Sequence, residues 1–179
     1  MSPFHYIFDK LYPLIRFTYE SVQGHRWYDQ INDDVWLGGA PTKTKDYQYL
    51  LKQGIRAVVD IRDERSDDLE LYAEQGINHI KLRVPDMMMP PLNILTEGVD
   101  FMKEQVDQGR VVYVHCAKGR GRSAALVAAY LMKHHGMSYE NAKQVLESKR
   151  KLVKLQDRHE EGLKAWIATE RFKSAHNAG

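Results

Sequence analysis

One stretch constrains this chain more than any other: Val111-Val112-Tyr113-Val114-His115-Cys116-Ala117-Lys118-Gly119-Arg120-Gly121-Arg122-Ser123. Val111 to Val114 are all β-branched or aromatic, as in a covered strand. Ala124 to Met132 is rich in Ala and Leu and reads as a helix. Between strand and helix lie the chain's only cysteine, two glycines and three cations.

Such a loop holds a dianion. Gly119 and Gly121 let the backbone turn sharply and bring several N–H groups towards one point. The first turn of the helix adds its unpaired N–H groups and the positive end of its dipole. Ala117, Lys118, Gly119, Arg120 and Gly121 are therefore the expected substrate-binding residues. The same field lowers a thiol from ~8.5 into a range of roughly 3.5–7.5. Cys116 is then a thiolate aimed at the phosphorus of a bound ester. Arg122, six residues on, turns its planar fork over the equatorial oxygens. Ser123 donates to the sulfur and eases its departure, and His115 fixes the loop through its ring nitrogens. A cysteine ending a strand is often inert. The reactive reading rests on His-Cys, five residues, Arg and Ser placed between a strand and a helix. These residues resemble the active-site loop of the cysteine-dependent tyrosine and dual-specificity phosphatases.

The rest of the chain alternates strand and helix. Trp27 to Pro41 reads as a short strand and a glycine turn at Gly38-Gly39, before a helix from Thr44 to Gln53. Ile55 to Ile61 is a strand with a continuous apolar run, as expected of one covered on both faces. A charged loop, Arg62 to Asp68, precedes a short helix from Leu69 to Gln75 and a strand from Ile77 to Val84. Helices follow at about 93–108, 138–151 and 157–172. The fold class is α/β, with a mainly parallel sheet of about four to five strands flanked by helices. The reactive loop then sits at the carboxyl end of a central strand, where such sheets bind ligands.

Residues 4–22 carry apolar positions at helical spacing, with Pro13 set to kink or split the helix. The expected organisation is an amphipathic helical segment over 1–24, a phosphatase domain over 25–173 and a flexible tail over 174–179. The segment either packs on the domain or lies in a membrane interface as a peripheral contact.

Departure of an alkoxide or phenoxide needs a proton donor. Asp86 is the candidate, in Val84-Pro85-Asp86-Met87-Met88-Met89-Pro90-Pro91, a proline-stiffened loop just after a strand. A free aspartic acid titrates near ~3.9, so burial and the bound dianion must raise it. Asp60, Asp63 and Asp100 are the alternatives. Lys118 and Arg120 suit a substrate with further anionic groups. Met87 to Met89 offer either a flexible apolar rim or core filling.

Composition narrows the classes. At 179 residues the chain makes one domain with a sizeable core. A net charge of +2 argues against general nucleic-acid binding. One cysteine excludes an internal disulfide framework and favours the cytoplasm or another reducing compartment. No run of 18 or more apolar residues occurs. No cofactor or metal is expected, because the loop and Arg122 supply the positive charge that metal ions supply elsewhere.

A narrower resemblance rests on Arg26-Trp27-Tyr28, Leu37-Gly38, Val84-Pro85-Asp86-Met87 and His115 to Ser123 followed by Ala128-Ala129-Tyr130-Leu131. These resemble the mitochondrial-type phosphatidylglycerophosphate phosphatases over roughly residues 25–170. The resemblance implies Cys116 as nucleophile, Arg122 as phosphate clamp and Asp86 as general acid. It implies a phospholipid headgroup as substrate, phosphatidylglycerophosphate or a phosphoinositide. The Arg62-Asp63-Glu64-Arg65-Ser66 segment departs from the Glu-rich, tyrosine-containing motif usual in that family. A protein tyrosine or dual-specificity phosphatase, a catalytically dead binding module and a sulfur transferase are the competing classes.

Overall fold

A computed structural model describes residues 14–177. Its strands are β1 (Tyr28–Gln30), β2 (Val35–Gly39), β3 (Ile55–Arg62), β4 (Asn78–Val84) and β5 (Val111–Cys116). Its α-helices are α1 (Thr44–Lys52), α2 (Leu69–Glu74), α3 (Leu92–Asp107), α4 (Arg122–His134), α5 (Tyr139–Lys149) and α6 (Asp157–Asn177). The strands form one sheet in the order β1-β2-β5-β3-β4. Only the edge strand β1 runs antiparallel to its neighbour; the other pairs are parallel. This is the expected α/β class.

The pleat of β5 assigns each residue a face. Val112, Val114 and Cys116 pack with Ala124 to Met132 of α4 on one side. Tyr113 points the other way, into a cluster that includes Trp27, Tyr28, Tyr47 and Tyr72. Because β5 is central, α4 leaves it straight into the interior, and every residue from Arg122 to Met132 is buried. A helix apolar on all sides needs that position. Helix α3 comes close to α4 at Gly98, where an added Cβ would stand 2.8 Å from Leu126 and Leu82.

Three expectations need correction or extension. Gly38 and Gly39 do not make a turn; they end β2, opposite His115 and Cys116. Their role is space. A Cβ on Gly39 would overlap the Trp27 ring at 2.3 Å, and one on Gly38 would meet Tyr113 Oη at 2.6 Å. Next, α6 continues to Asn177, into the residues expected to form a tail. Last, the stretch 18–22 is a π-helical turn rather than regular helix. Pro13 and the rest of the 4–13 pattern lie outside the described residues.

Candidate active site

The loop from Cys116 to Arg122 is held from outside by its carbonyl groups. Ala40 N–H donates to Ala117 O (3.2 Å), and Lys154 N–H donates to Arg120 O (2.9 Å). Arg150 donates from Nη2 to Lys118 O (2.8 Å) and from Nε to Gly119 O (3.0 Å). A trans peptide is planar, so a carbonyl pinned on one side turns the following N–H to the other. Four consecutive carbonyls pinned outward therefore turn a run of N–H groups inward. Gly119 adopts φ +66°, and a Cβ there would stand 2.4 Å from Gly38 O. Only glycine fits that conformation and that gap.

Arg150 makes this arrangement possible. It is fully buried and anchored by the Asp29 carboxylate at 2.7 Å, with a further bond to Trp27 O at 3.1 Å. Burial raises the Asp29 pKa, and the Arg150 charge only partly offsets this. Nothing in the local sequence marks Arg150; it lies 31 residues beyond Gly119.

Cys116 lies at the base of the loop, 4% exposed. Burial alone would raise its pKa. The Arg122 charge, the Ser123 hydroxyl and the backbone N–H groups of Ser123 and Arg120 outweigh burial and bring it down to about 7. Ser123 Oγ donates to Sγ at 3.2 Å. Arg122 is buried and held in a fork by Glu64, at 2.8 Å from Nη1 and 2.7 Å from Nη2. Its Nη1 also donates to Val84 O at 2.8 Å. Burial penalises the Glu64 charge, but Arg122 more than compensates and lowers its pKa. Glu64 lies inside the stretch that departs from the family motif, and nothing in its local sequence marks it as the partner of Arg122.

Asp86 reaches the same guanidinium, 2.9 Å from Arg122 Nη2. Its side chain is 53% exposed, so the expected burial is absent. The alternatives point elsewhere. Asp60 pairs with Arg62 and Lys81, Asp63 with Arg83 and Asp100 with Lys133. After Asp86 the backbone of Met87 turns to φ +63°, a sparsely populated conformation for a side chain of that size. Met87 and Met88 are 73% and 56% exposed, and they form a rim rather than core. Met89 turns inward and lies against Gly162. Lys118 is half-buried and Arg120 exposed, both on the loop.

Behind the loop lies a buried polar network. His115 Nε2 is 2.7 Å from Asp67 Oδ2, its Nδ1 is 3.4 Å from Cys116 O, and its ring stacks on Tyr113. Asp67 also accepts from Arg62 (2.5 Å) and Tyr72 (2.8 Å). Burial pushes Asp67 upward, but His115, Arg62 and Tyr72 outweigh it and hold the carboxyl at about 2. Asp60, Asp67 and His115 offer ligand atoms within 4.8 Å of one another. Both carboxylates are already bonded to cationic side chains, a poor donor set for a metal ion. The arrangement as a whole is an anion cradle over an acidified thiol, with a carboxyl group at its edge.

Comparison with known proteins agrees with this chemistry. Residues 37–136 match the family profile described as "Polymorphic toxin system, DSP-PTPase phosphatase". Phosphatidylglycerophosphatase and protein-tyrosine phosphatase 1 of Mus musculus is 30% identical over 173 residues, 93% of this chain and 90% of that protein. Its Homo sapiens counterpart is 33% identical over 138 residues, 74% of this chain and 69% of that protein. The crystal structure of PTPMT1 in complex with PI(5)P superposes with a TM-score of 0.77 at 29% identity, covering 83% of this chain and 99% of that one.

Proposed function

This chain belongs to the dual-specificity-type cysteine phosphatases, the family that includes phosphatidylglycerophosphatase and protein-tyrosine phosphatase 1, and on that footing we propose a phosphocysteine mechanism acting on a phospholipid headgroup. The observation that carries the mechanism is the outward pinning of four loop carbonyls above a thiol lowered to about 7.

The phosphoryl group enters with its non-bridging oxygens on the loop N–H groups and the Arg122 fork. Cys116 Sγ attacks phosphorus, and an S–P bond forms as the P–O ester bond breaks. Protonated Asp86 gives its proton to the leaving oxygen. Asp86 then takes a proton from water, whose oxygen bonds to phosphorus while the S–P bond breaks. The thiolate returns, assisted by the Ser123 hydroxyl, and inorganic phosphate leaves. Asp86 and Glu64 share the Arg122 guanidinium, so a phosphoryl group that takes the Asp86 position on it moves that carboxyl towards the leaving group. His115 and Asp67 hold the carbonyl side of Cys116.

The lipid reading is supported by the exposed Met87 and Met88 beside Asp86, by Lys118 and Arg120, and by the named activity of the relatives. The same relatives are named as protein-tyrosine phosphatases, which keeps a phosphoprotein as the second reading. A membrane contact would be peripheral; among the described residues no helix is long and apolar enough to cross a membrane. Leu14, Phe17 and Val22 are 58%, 59% and 70% exposed and offer an apolar face for such a contact.

One substrate panel separates the readings. Purified protein is assayed with phosphatidylglycerophosphate and phosphoinositides in anionic vesicles, and with phosphotyrosine and phosphothreonine peptides, all in chelator. The expected outcome is undiminished activity in chelator and a higher kcat/KM on a lipid. Peptide turnover a hundredfold faster, about 2.7 kcal/mol of transition-state preference, would end the lipid claim.

A further inference from the structure

His159 sits on the first turn of α6, 2% exposed. Its Nδ1 accepts the backbone N–H of Gln156 at 3.0 Å, which places the ring proton on Nε2. That nitrogen faces the loop: a Cβ built on Gly121 would stand 3.4 Å from Nε2 and 3.8 Å from Cε1. Among the described residues, no protein atom accepts a hydrogen bond from Nε2. Nor is Nε2 sealed in: among the described residues it is not one of the fully buried side-chain atoms left without a hydrogen bond. A buried imidazole thus places one N–H beside the point where the loop becomes α4.

Gly121 is the N-cap of α4, where the unpaired N–H groups of the first turn gather. A further donor beside that point adds to the N–H groups gathered there. Burial, then the Arg158 charge, lower the His159 pKa, so the ring stays neutral and its proton stays on Nε2. A base role is excluded, because Nδ1 is occupied and Nε2 already carries hydrogen.

We propose that His159 is a phosphate-binding residue, its Nε2–H donating to a phosphoryl oxygen at the Gly121 edge of the loop. This rests on the reading of the loop as the phosphate site. It adds a donor from outside the Cys116–Arg122 segment, supplied by the last helix of the chain. It also gives a purpose to the close packing of α6 on the loop, which Gly121 permits.

The two nitrogens of His159 can be tested separately. In His159→Asn the amide oxygen overlays Nδ1 and keeps the Gln156 bond, but no donor reaches the loop. In His159→Gln the amide N–H overlays Nε2 and restores the reach, while the Gln156 bond is strained or lost. Competitive inhibition by inorganic phosphate is measured for both variants and the wild type, using a small aryl phosphate, alongside Tm. For His159→Asn the inhibition constant is expected to rise roughly ten- to a hundredfold, the scale of a hydrogen bond to a charged acceptor, with Tm near wild type. For His159→Gln phosphate affinity returns towards wild type although Tm falls. Unchanged phosphate inhibition in His159→Asn overturns the inference and leaves the phosphate-site reading standing. Affinity losses that simply track Tm in both variants reduce His159 to a helix cap. A wild-type enzyme insensitive to phosphate overturns the phosphate-site reading and this inference together.

Discussion

At the scale of single residues, the site is a contest for one guanidinium. Arg122 is held by Glu64 from one side and Asp86 from the other. The Glu64 contact is a two-bond fork on a half-buried carboxylate, so it persists. The Asp86 contact is single and half exposed, so it is the one that the proposed mechanism exchanges for a phosphoryl oxygen. If Asp86 is the acid, its removal matters in proportion to the basicity of the leaving oxygen. Asp86→Ala is therefore expected to lose about 10²- to 10⁴-fold in kcat on alkyl or lipid phosphates, and far less on an activated aryl phosphate. Steady-state rates on both substrate types check this; equal losses would remove Asp86 from the role.

At the scale of elements, much of the site could be read from the chain and some could not. The strand, loop and helix around Cys116 are contiguous, so spacing alone places Cys116, Arg122 and Ser123 near one another. The charged stretch after β3 was legible only as a loop. That it brings Glu64 to Arg122 and Asp67 to His115 depends on β3 lying beside β5, 48 to 58 residues away in sequence. Gly38 and Gly39 suggest a turn yet end a strand, because glycine signals both sharp bends and close approach, and local pattern cannot tell these apart. Arg150 was invisible for a related reason: it lies between a polar helix and a polar loop, yet it is fully buried. Its charge is balanced by Asp29 and by carbonyl groups from two separate segments. Removing one partner of such a pair leaves an uncompensated buried charge. Arg150→Met is expected to cost about 3 kcal/mol or more, a fall in Tm of roughly 6–12 °C for a domain of this size. Calorimetry measures it; a Tm within a degree or two of wild type would contradict the scaffold role given to Arg150.

At the scale of the whole molecule, the sheet faces divide the labour. One face buries α4 and the helices around it, and it fixes where the loop begins. The other holds an aromatic cluster to which the N-terminal segment is fastened. Arg16 is buried there, paired with Asp46 at 2.7 Å and lying over the Trp27 and Tyr28 rings. Residues 14–22 are thus part of the domain even while Leu14, Phe17 and Val22 face outward, and cutting the chain after Val22 would strand the buried Asp46. All of these layers converge on one sulfur. Its ionisation sums the helix dipole of α4, the inward N–H groups and the Arg122 charge against the cost of burial. The most direct measurement is the pH dependence of Cys116 alkylation, in the wild type and in Arg122→Ala. The folded site lowers the thiol, so reactivity should be full in mild alkali and fall as pH drops through about 7. In Arg122→Ala the midpoint should move up towards the ordinary thiol value of ~8.5, with phosphatase activity lost by on the order of 10³-fold or more. A wild-type midpoint at the ordinary thiol value, unmoved by loss of Arg122, would contradict the thiolate and the mechanism built on it.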